Sequence, residues 1–198
     1  MRTHTSLPRT VRRIVLTGFM GAGKSTIGRL LAQRLGWDFV DTDAVIEAHT
    51  GLSVARIFAE RGEDVFRALE AEAVRSHAQA NEIVVALGGG AIEFEGTREA
   101  LIGLEEACVV FLDAPLDVMV ARCLSQPGAA ERPVLRERER LTARLAARLP
   151  HYRQAHLTVA TADRTPQGVA DAILEAVADS LPDRTGVIHF RKENPSRT

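Results

Sequence analysis

The residues Gly18-Phe-Met-Gly-Ala-Gly23-Lys24-Ser25 follow the spacing G-x-x-x-x-G-K-[ST]. Glycines at those positions let the backbone curl so that successive amides point inward around an anion. A helix opening directly behind them adds the positive end of its dipole. Gly21, Ala22 and Gly23 are then expected to line the phosphates, with Thr26 extending the contacts. Lys24 would reach the β- and γ-phosphates and Ser25 would set its hydroxyl on Mg²⁺. Of 25 basic residues only Lys24 and Lys192 are lysines, which makes a lysine at this place the more notable. The pattern predicts a nucleoside triphosphate site. It does not say where the phosphoryl group goes, because motors, GTPases and small-molecule kinases share the loop.

Candidates for the acceptor side come in short clusters further along. Asp41 and Asp43 stand where a second strand ends, and residues two apart in an extended segment point the same way. Both carboxylates are thus expected to approach one cluster, Asp41 to support Mg²⁺ and Asp43 to accept a hydrogen bond from an acceptor hydroxyl. The competing reading makes Asp43 a cap for the helix Ala44–His49. Arg67 and Glu70 are three apart on one helix and share a face. Spacing alone does not choose between a surface ion pair of little consequence and a glutamate steadying a guanidinium fork for a carboxylate ligand. Gly88, Gly89 and Gly90 follow the third strand, where backbone without side chains lets a substrate lie on the N–H groups. Arg132, Arg153 and Arg164 fall near strand ends or in the loop Ser125–Pro133, whereas the alternating signs of Arg136–Arg140 mark a solvated helix face.

Short apolar runs alternating with helix-length periodic segments position these residues. Strands are expected at Arg13–Thr17, Trp37–Val40, Glu82–Leu87, Ala107–Leu112 and Leu157–Ala160. Helices are expected at Ser25–Leu35, in two pieces broken at Gly51 and Gly62 with Ser53 capping the first, around Pro115–Leu124, at Arg136–Leu149, and from Pro166 onward. The pattern is α/β: one five-stranded parallel sheet with helices on both faces, in three layers. A flexible arm at 1–11 and an extension at 179–198 flank a domain at 12–178. Within the extension Val187–Phe190 reads as a frayed tail in preference to an edge strand. A net charge of −1 gives no global field for nucleic acid or an anionic membrane. No apolar run approaches the roughly 18–20 residues of a membrane span, and no secretory-type apolar stretch follows the basic start. Cys108 and Cys123 lack metal or redox spacing and read as packing residues of a reducing compartment, so a cytoplasmic protein is expected.

Taken together these residues resemble the shikimate kinase family, in the nucleoside-monophosphate-kinase-like branch of P-loop folds, from about Val11 to Ala178. The matching pieces are the segment 18–28, Asp41-Thr-Asp43, Phe66-Arg67-x-x-Glu70, Gly88–Gly90, Arg132-Pro133 and Tyr152-Arg153. The resemblance implies strand order 2-3-1-4-5, ATP and shikimate as substrates, Mg²⁺ as cofactor, a monomer, and phosphorylation of the hydroxyl at carbon 3. It implies that Asp43 meets that hydroxyl, that Arg67 and Arg153 hold the carboxylate, and that Gly88–Gly90 contribute, with Glu70 behind Arg67. Arg132 is placed in a mobile lid at about 123–136 and on the ATP phosphates, and Arg122 and Arg164 beside adenine. Leu87 stands where many members carry threonine or another polar residue. Two rivals are a gluconate kinase or similar hydroxy-acid kinase of the same fold, and a nucleotide-binding regulator that transfers nothing. The Phe-Arg-x-x-Glu and Tyr-Arg pieces favour shikimate, and retention of Asp43 and Arg132 speaks against the regulator.

Overall fold

The computed structural model describes residues 11–102, 104–125 and 137–179. Five strands pair in parallel as one sheet in the order β2-β3-β1-β4-β5. They are β1 (Arg13–Thr17), β2 (Asp38–Asp41), β3 (Ile83–Ala86), β4 (Ala107–Asp113) and β5 (Leu157–Ala160). Each overlaps an expected strand, and the order is the expected one. The central strands read as continuous apolar runs because helices deny water to both faces; every residue of β3 is buried.

The helices are α1 (Lys24–Leu35), α2 (Thr42–Thr50), α3 (Val54–Arg61), α4 (Glu63–His77), α5 (Glu95–Ile102), α6 (Leu116–Leu124), α7 (Arg138–Tyr152) and α8 (Pro166–Ala178). No helix of the described residues is long and apolar enough to cross a membrane. Around the sheet lies one large apolar cluster. A second, small one gathers Ile46, Ile57 and Phe66 where α2, α3 and α4 meet. Cys108 and Cys123 are both buried, and burial pushes the Cys108 thiol up, consistent with packing.

Three expectations need correction. Asp41 and Asp43 do not share an extended segment: Asp41 ends β2 and caps α2, and Asp43 lies in the first helical turn. The cap is therefore Asp41, whose short side chain turns back onto the Asp43 amide. The helix expected to stop at Leu149 runs through Pro150 to Tyr152. Pro150 costs one backbone hydrogen bond, but Tyr152 holds the last turn down by stacking on Phe111 and donating its hydroxyl to the Gly89 carbonyl. A short 3-10 turn (Ala91–Glu93) and α5 fill the stretch between β3 and β4, where residue patterning had set no expectation. The segment expected as a lid, at about 123–136, overlaps α6 at its start, since Cys123 and Leu124 are the last residues of that helix. The rest of that loop with Arg132, the arm at 1–10 and the segment 180–198 lie outside the described residues.

The carboxyl ends of all five strands lie on one edge of the parallel sheet, where ligands of open α/β sheets bind. The phosphate-loop motif follows β1, Asp41-Thr42-Asp43 follows β2 and Gly88–Gly90 follows β3. At that edge Thr165 caps α8 by accepting a hydrogen bond from the Gly168 amide at 3.1 Å, with Pro166 in the first helical position. Thr165→Ala is expected to lower the free energy of unfolding by about 1 kcal/mol in urea titration. An unchanged midpoint would show that the cap contributes nothing.

Candidate active site

The loop after β1 is seated on its neighbours before any ligand is considered. Gly21 has a φ of +75°, and a Cβ there would stand 2.2 Å from the Met119 carbonyl of α6. Only glycine meets both demands. Lys24 folds back over the loop and donates to the carbonyls of Gly18 (2.8 Å) and Phe19 (3.1 Å). Burial pulls its ammonium down, while Asp43 and Asp41 oppose the shift. Gly23 precedes α1, Ala22 is buried beneath the loop, and Thr26 faces solvent in the first helical turn.

Ser25 links this loop to the second strand. Its hydroxyl donates to Asp41 Oδ2 at 2.5 Å, while Asp41 Oδ1 accepts from the Asp43 amide at 3.2 Å. A hydroxyl and a carboxylate in contact at the start of a helix are hard oxygen donors suited to Mg²⁺, which takes few protein ligands and fills its octahedron with phosphate and water. Among the described residues no group of three or more His, Cys, Asp or Glu could hold a metal. A site that shares its ion with a bound polyphosphate needs none.

Among the described residues, Asp43 Oδ1 is buried and has no hydrogen-bond partner. Burial, reinforced by Asp41, pushes this carboxyl up, with Lys24 pulling the other way. A buried acceptor left unsatisfied is costly, and this one is turned towards the strand-three glycines. A Cβ on Gly88 would lie 2.6 Å from Asp43 Oδ1 and 2.1 Å from Glu70 Oε1. Thr42, which the sequence reading passed over, secures the junction: its hydroxyl accepts from the Gly88 amide at 3.0 Å and donates to the Ala86 carbonyl at 3.3 Å. The Gly88 amide is thus committed to Thr42, which corrects the expectation that a substrate lies on it. The amides of Gly89 and Gly90 have no acceptor among the described residues.

The Arg67–Glu70 pair is not a surface contact. Glu70 has 0% side-chain exposure and Arg67 10%, with 2.7 Å between Nη1 and Oε2. Phe58 and Phe66 lie under the guanidinium at 5.8 and 5.4 Å from their ring centroids. Arg67 Nη2 would be 2.3 Å from a Cβ on Gly90, so the fork is aimed at the glycine segment. A second guanidinium meets it there. Arg148 of α7 is 7% exposed, lies over the Phe19 ring at 5.6 Å, and places Nη2 within 2.9 Å of the same Gly90 position. Glu93 holds it from the other side, accepting from Nε at 2.7 Å.

Arg153, expected as the second carboxylate partner, does not join this group. It is the exposed C-cap residue of α7. Arg148 was not among the expected site residues; with α7 continuous through Pro150, Arg148 and Tyr152 are four apart and share one face. That i, i+4 spacing to the buried tyrosine was the available signal. Arg122 donates to the hydroxyl and carbonyl of Thr161 at 2.9 and 2.6 Å, tying α6 to the end of β5. Arg164 is exposed just ahead of the Thr165 cap.

Burial pushes Glu70 up to about 7 from its ordinary 4.5, against the pull of Arg67. Between those values the folded protein binds the proton more tightly than the unfolded chain, so stability falls as pH rises through that window. Glu70→Gln abolishes the titration. Relative to that variant, the wild-type unfolding free energy is expected to decline by on the order of 2 kcal/mol between pH about 5 and about 7.5. A difference that does not change with pH would mean Glu70 is already ionised throughout.

Comparison with known proteins fits this arrangement. Residues 20–178 match the family model described as shikimate kinase. The shikimate kinase of Thermobifida fusca is 46% identical over 172 residues, covering 85% of this chain and 94% of that protein. The shikimate kinase of Thermus thermophilus is 41% identical over 172 residues, covering 85% and 91%. Among solved structures, shikimate kinase from Acinetobacter baumannii in complex with shikimate has a TM-score of 0.72 at 34% identity, covering 84% of this chain and 92% of that one. With one phosphate-loop fold, one acceptor cluster and matches that span nearly the whole described chain, the protein belongs to the shikimate kinase family.

Proposed function

We propose that this chain transfers the γ-phosphoryl group of ATP to the 3-hydroxyl of shikimate, yielding shikimate 3-phosphate and ADP in aromatic amino acid biosynthesis. Beyond family membership, one observation supports the reading most directly. Asp43 presents a buried carboxylate oxygen, unpartnered among the described residues, beside the glycines on which two guanidiniums converge. Such a site offers an acceptor for a hydroxyl and a fork for a carboxylate, the two polar ends of a hydroxy acid.

Phosphoryl transfer passes through a loose transition state, so catalysis consists mainly of positioning and of neutralising oxygen charge. The amides of the loop after β1 and Lys24 would hold the nucleotide phosphates. Ser25 and Asp41 would hold Mg²⁺, which would supply further neutralisation of phosphate oxygen charge. Asp43 orients the 3-hydroxyl for in-line attack; as the new O–P bond forms and the bond to ADP breaks, it takes the hydroxyl proton. Arg67 and Arg148 fix the carboxylate end, with Glu70 and Glu93 behind them. Arg122 and Arg164 are read as flanking the adenine, and Arg132 as reaching the ATP phosphates. The reading also takes the chain as a cytoplasmic monomer of two small substrates, without nucleic-acid or membrane partners. A near-neutral charge and cysteines kept in the core support it.

ADP release measured across shikimate, gluconate and AMP tests the assignment: turnover is expected with shikimate, and a preference for either other acceptor would overturn it. Asp43→Asn is expected to retain ATP affinity while lowering kcat about 10²–10⁴-fold; unchanged turnover would remove Asp43 from the chemistry. Arg148→Ala is expected to raise the KM for shikimate by about tenfold or more, with Arg153→Ala within about twofold of wild type. The reverse ranking would return the carboxylate to Arg153.

A further inference from the structure

Three carboxylates among the described residues touch the two guanidiniums at Gly90, and they are not equivalent. Glu70 takes Arg67 Nη1 and Glu93 takes Arg148 Nε. Neither occupies the Nη2 nitrogens that both arginines direct at Gly90. Glu63 does. Its Oε1 accepts from Arg67 Nη2 at 3.1 Å, the same nitrogen that lies nearest the Gly90 position. Glu63 is also the least confined of the three, with 64% side-chain exposure against 35% for Glu93 and 0% for Glu70. It sits on the first residue of α4, directly after Gly62.

We propose that Glu63 is an internal competitor for the substrate carboxylate, a tethered acidic side chain that occupies Arg67 Nη2 and must yield when an anionic acceptor arrives. The proposal rests on the reading of Arg67 as a carboxylate partner. A guanidinium holds a carboxylate through charge-assisted N–H donors that are not already taken. Nη1 is committed to a glutamate with no access to water, so the donor that can be surrendered is Nη2. Releasing Glu63 costs little because its carboxylate returns to solvent, whereas displacing Glu70 would strand a buried charge. Glu63 thus sets a threshold: it weakens binding of the proper acid by the worth of an exposed ion pair and leaves Arg67 paired when no acid is present. Its place in the first turn of α4 gives it a separate, favourable interaction with the helix dipole.

The test is steady-state kinetics of wild type, Glu63→Gln, Glu63→Ala, Arg67→Ala and the double variant Glu63→Gln/Arg67→Ala, each checked for thermal unfolding. Both Glu63 variants are expected to lower the KM for shikimate about two- to fivefold, the equilibrium worth of an exposed ion pair, and to leave the KM for ATP unchanged. In the Arg67→Ala background, Glu63→Gln is expected to leave kcat/KM for shikimate unchanged. A raised or unaltered KM in the single variants would overturn the competitor role and make Glu63 a support for Arg67 or a bystander. The same gain persisting without Arg67 would also overturn it, as a general field effect. If Arg67→Ala alone leaves the shikimate KM unaltered, the underlying reading of Arg67 fails instead, which is a separate result.

Discussion

A glutamate sealed from water at the centre of α4 constrains the whole acceptor side of this protein. Glu70 can be charged there only because the Arg67 guanidinium lies against it. The pair takes up room, and the glycines after β3 provide that room. A Cβ on Gly88 would collide with Glu70, and one on Gly90 with Arg67. The triplet therefore admits the ion pair as much as it exposes backbone, and its first amide is already taken by Thr42.

From this pair the geometry spreads in two directions. Through the consecutive residues Asp41 and Thr42 it reaches Ser25: Thr42 bonds the Gly88 amide and its chain neighbour Asp41 bonds the Ser25 hydroxyl, so one backbone step joins the strand-three glycines to the first turn of α1. Through Arg148 and Tyr152 it reaches α7, which touches Phe19 of the loop after β1 on one side and Gly89 on the other. The nucleotide and acceptor halves are thus joined by side chains from several elements. A shift of α7 would be felt in both, since packed interiors transmit displacement instead of absorbing it.

Much of this was legible in the residues. The strands, most helices and the phosphate loop follow from periodicity and from one strong local motif, because burial on two faces and glycine curvature leave direct marks on sequence. What stayed hidden depended on tertiary support. Pro150 is a helix breaker by local rules, yet α7 continues past it to a Tyr152 that is stacked on Phe111. Arg153 was named for its place near a strand end and in the Tyr-Arg match, and Arg148, inside the expected helix, carried no local mark of its burial. Asp43 was rightly joined to Asp41, though for the wrong geometric reason, since the strand ends before it. Whether Arg67 and Glu70 met at the surface or in the interior was undecidable from spacing, because the i, i+3 relation is the same in both places. Burial decided it.

The posture of Lys24 has its own consequence. Its ammonium rests on two peptide oxygens of the loop that surrounds it, so the side chain braces the turn that carries it. On the reading of Lys24 as a phosphate partner, such a contact would favour charge density: a single weak anionic group would have little with which to draw the ammonium off neutral dipoles, whereas a polyphosphate would have more.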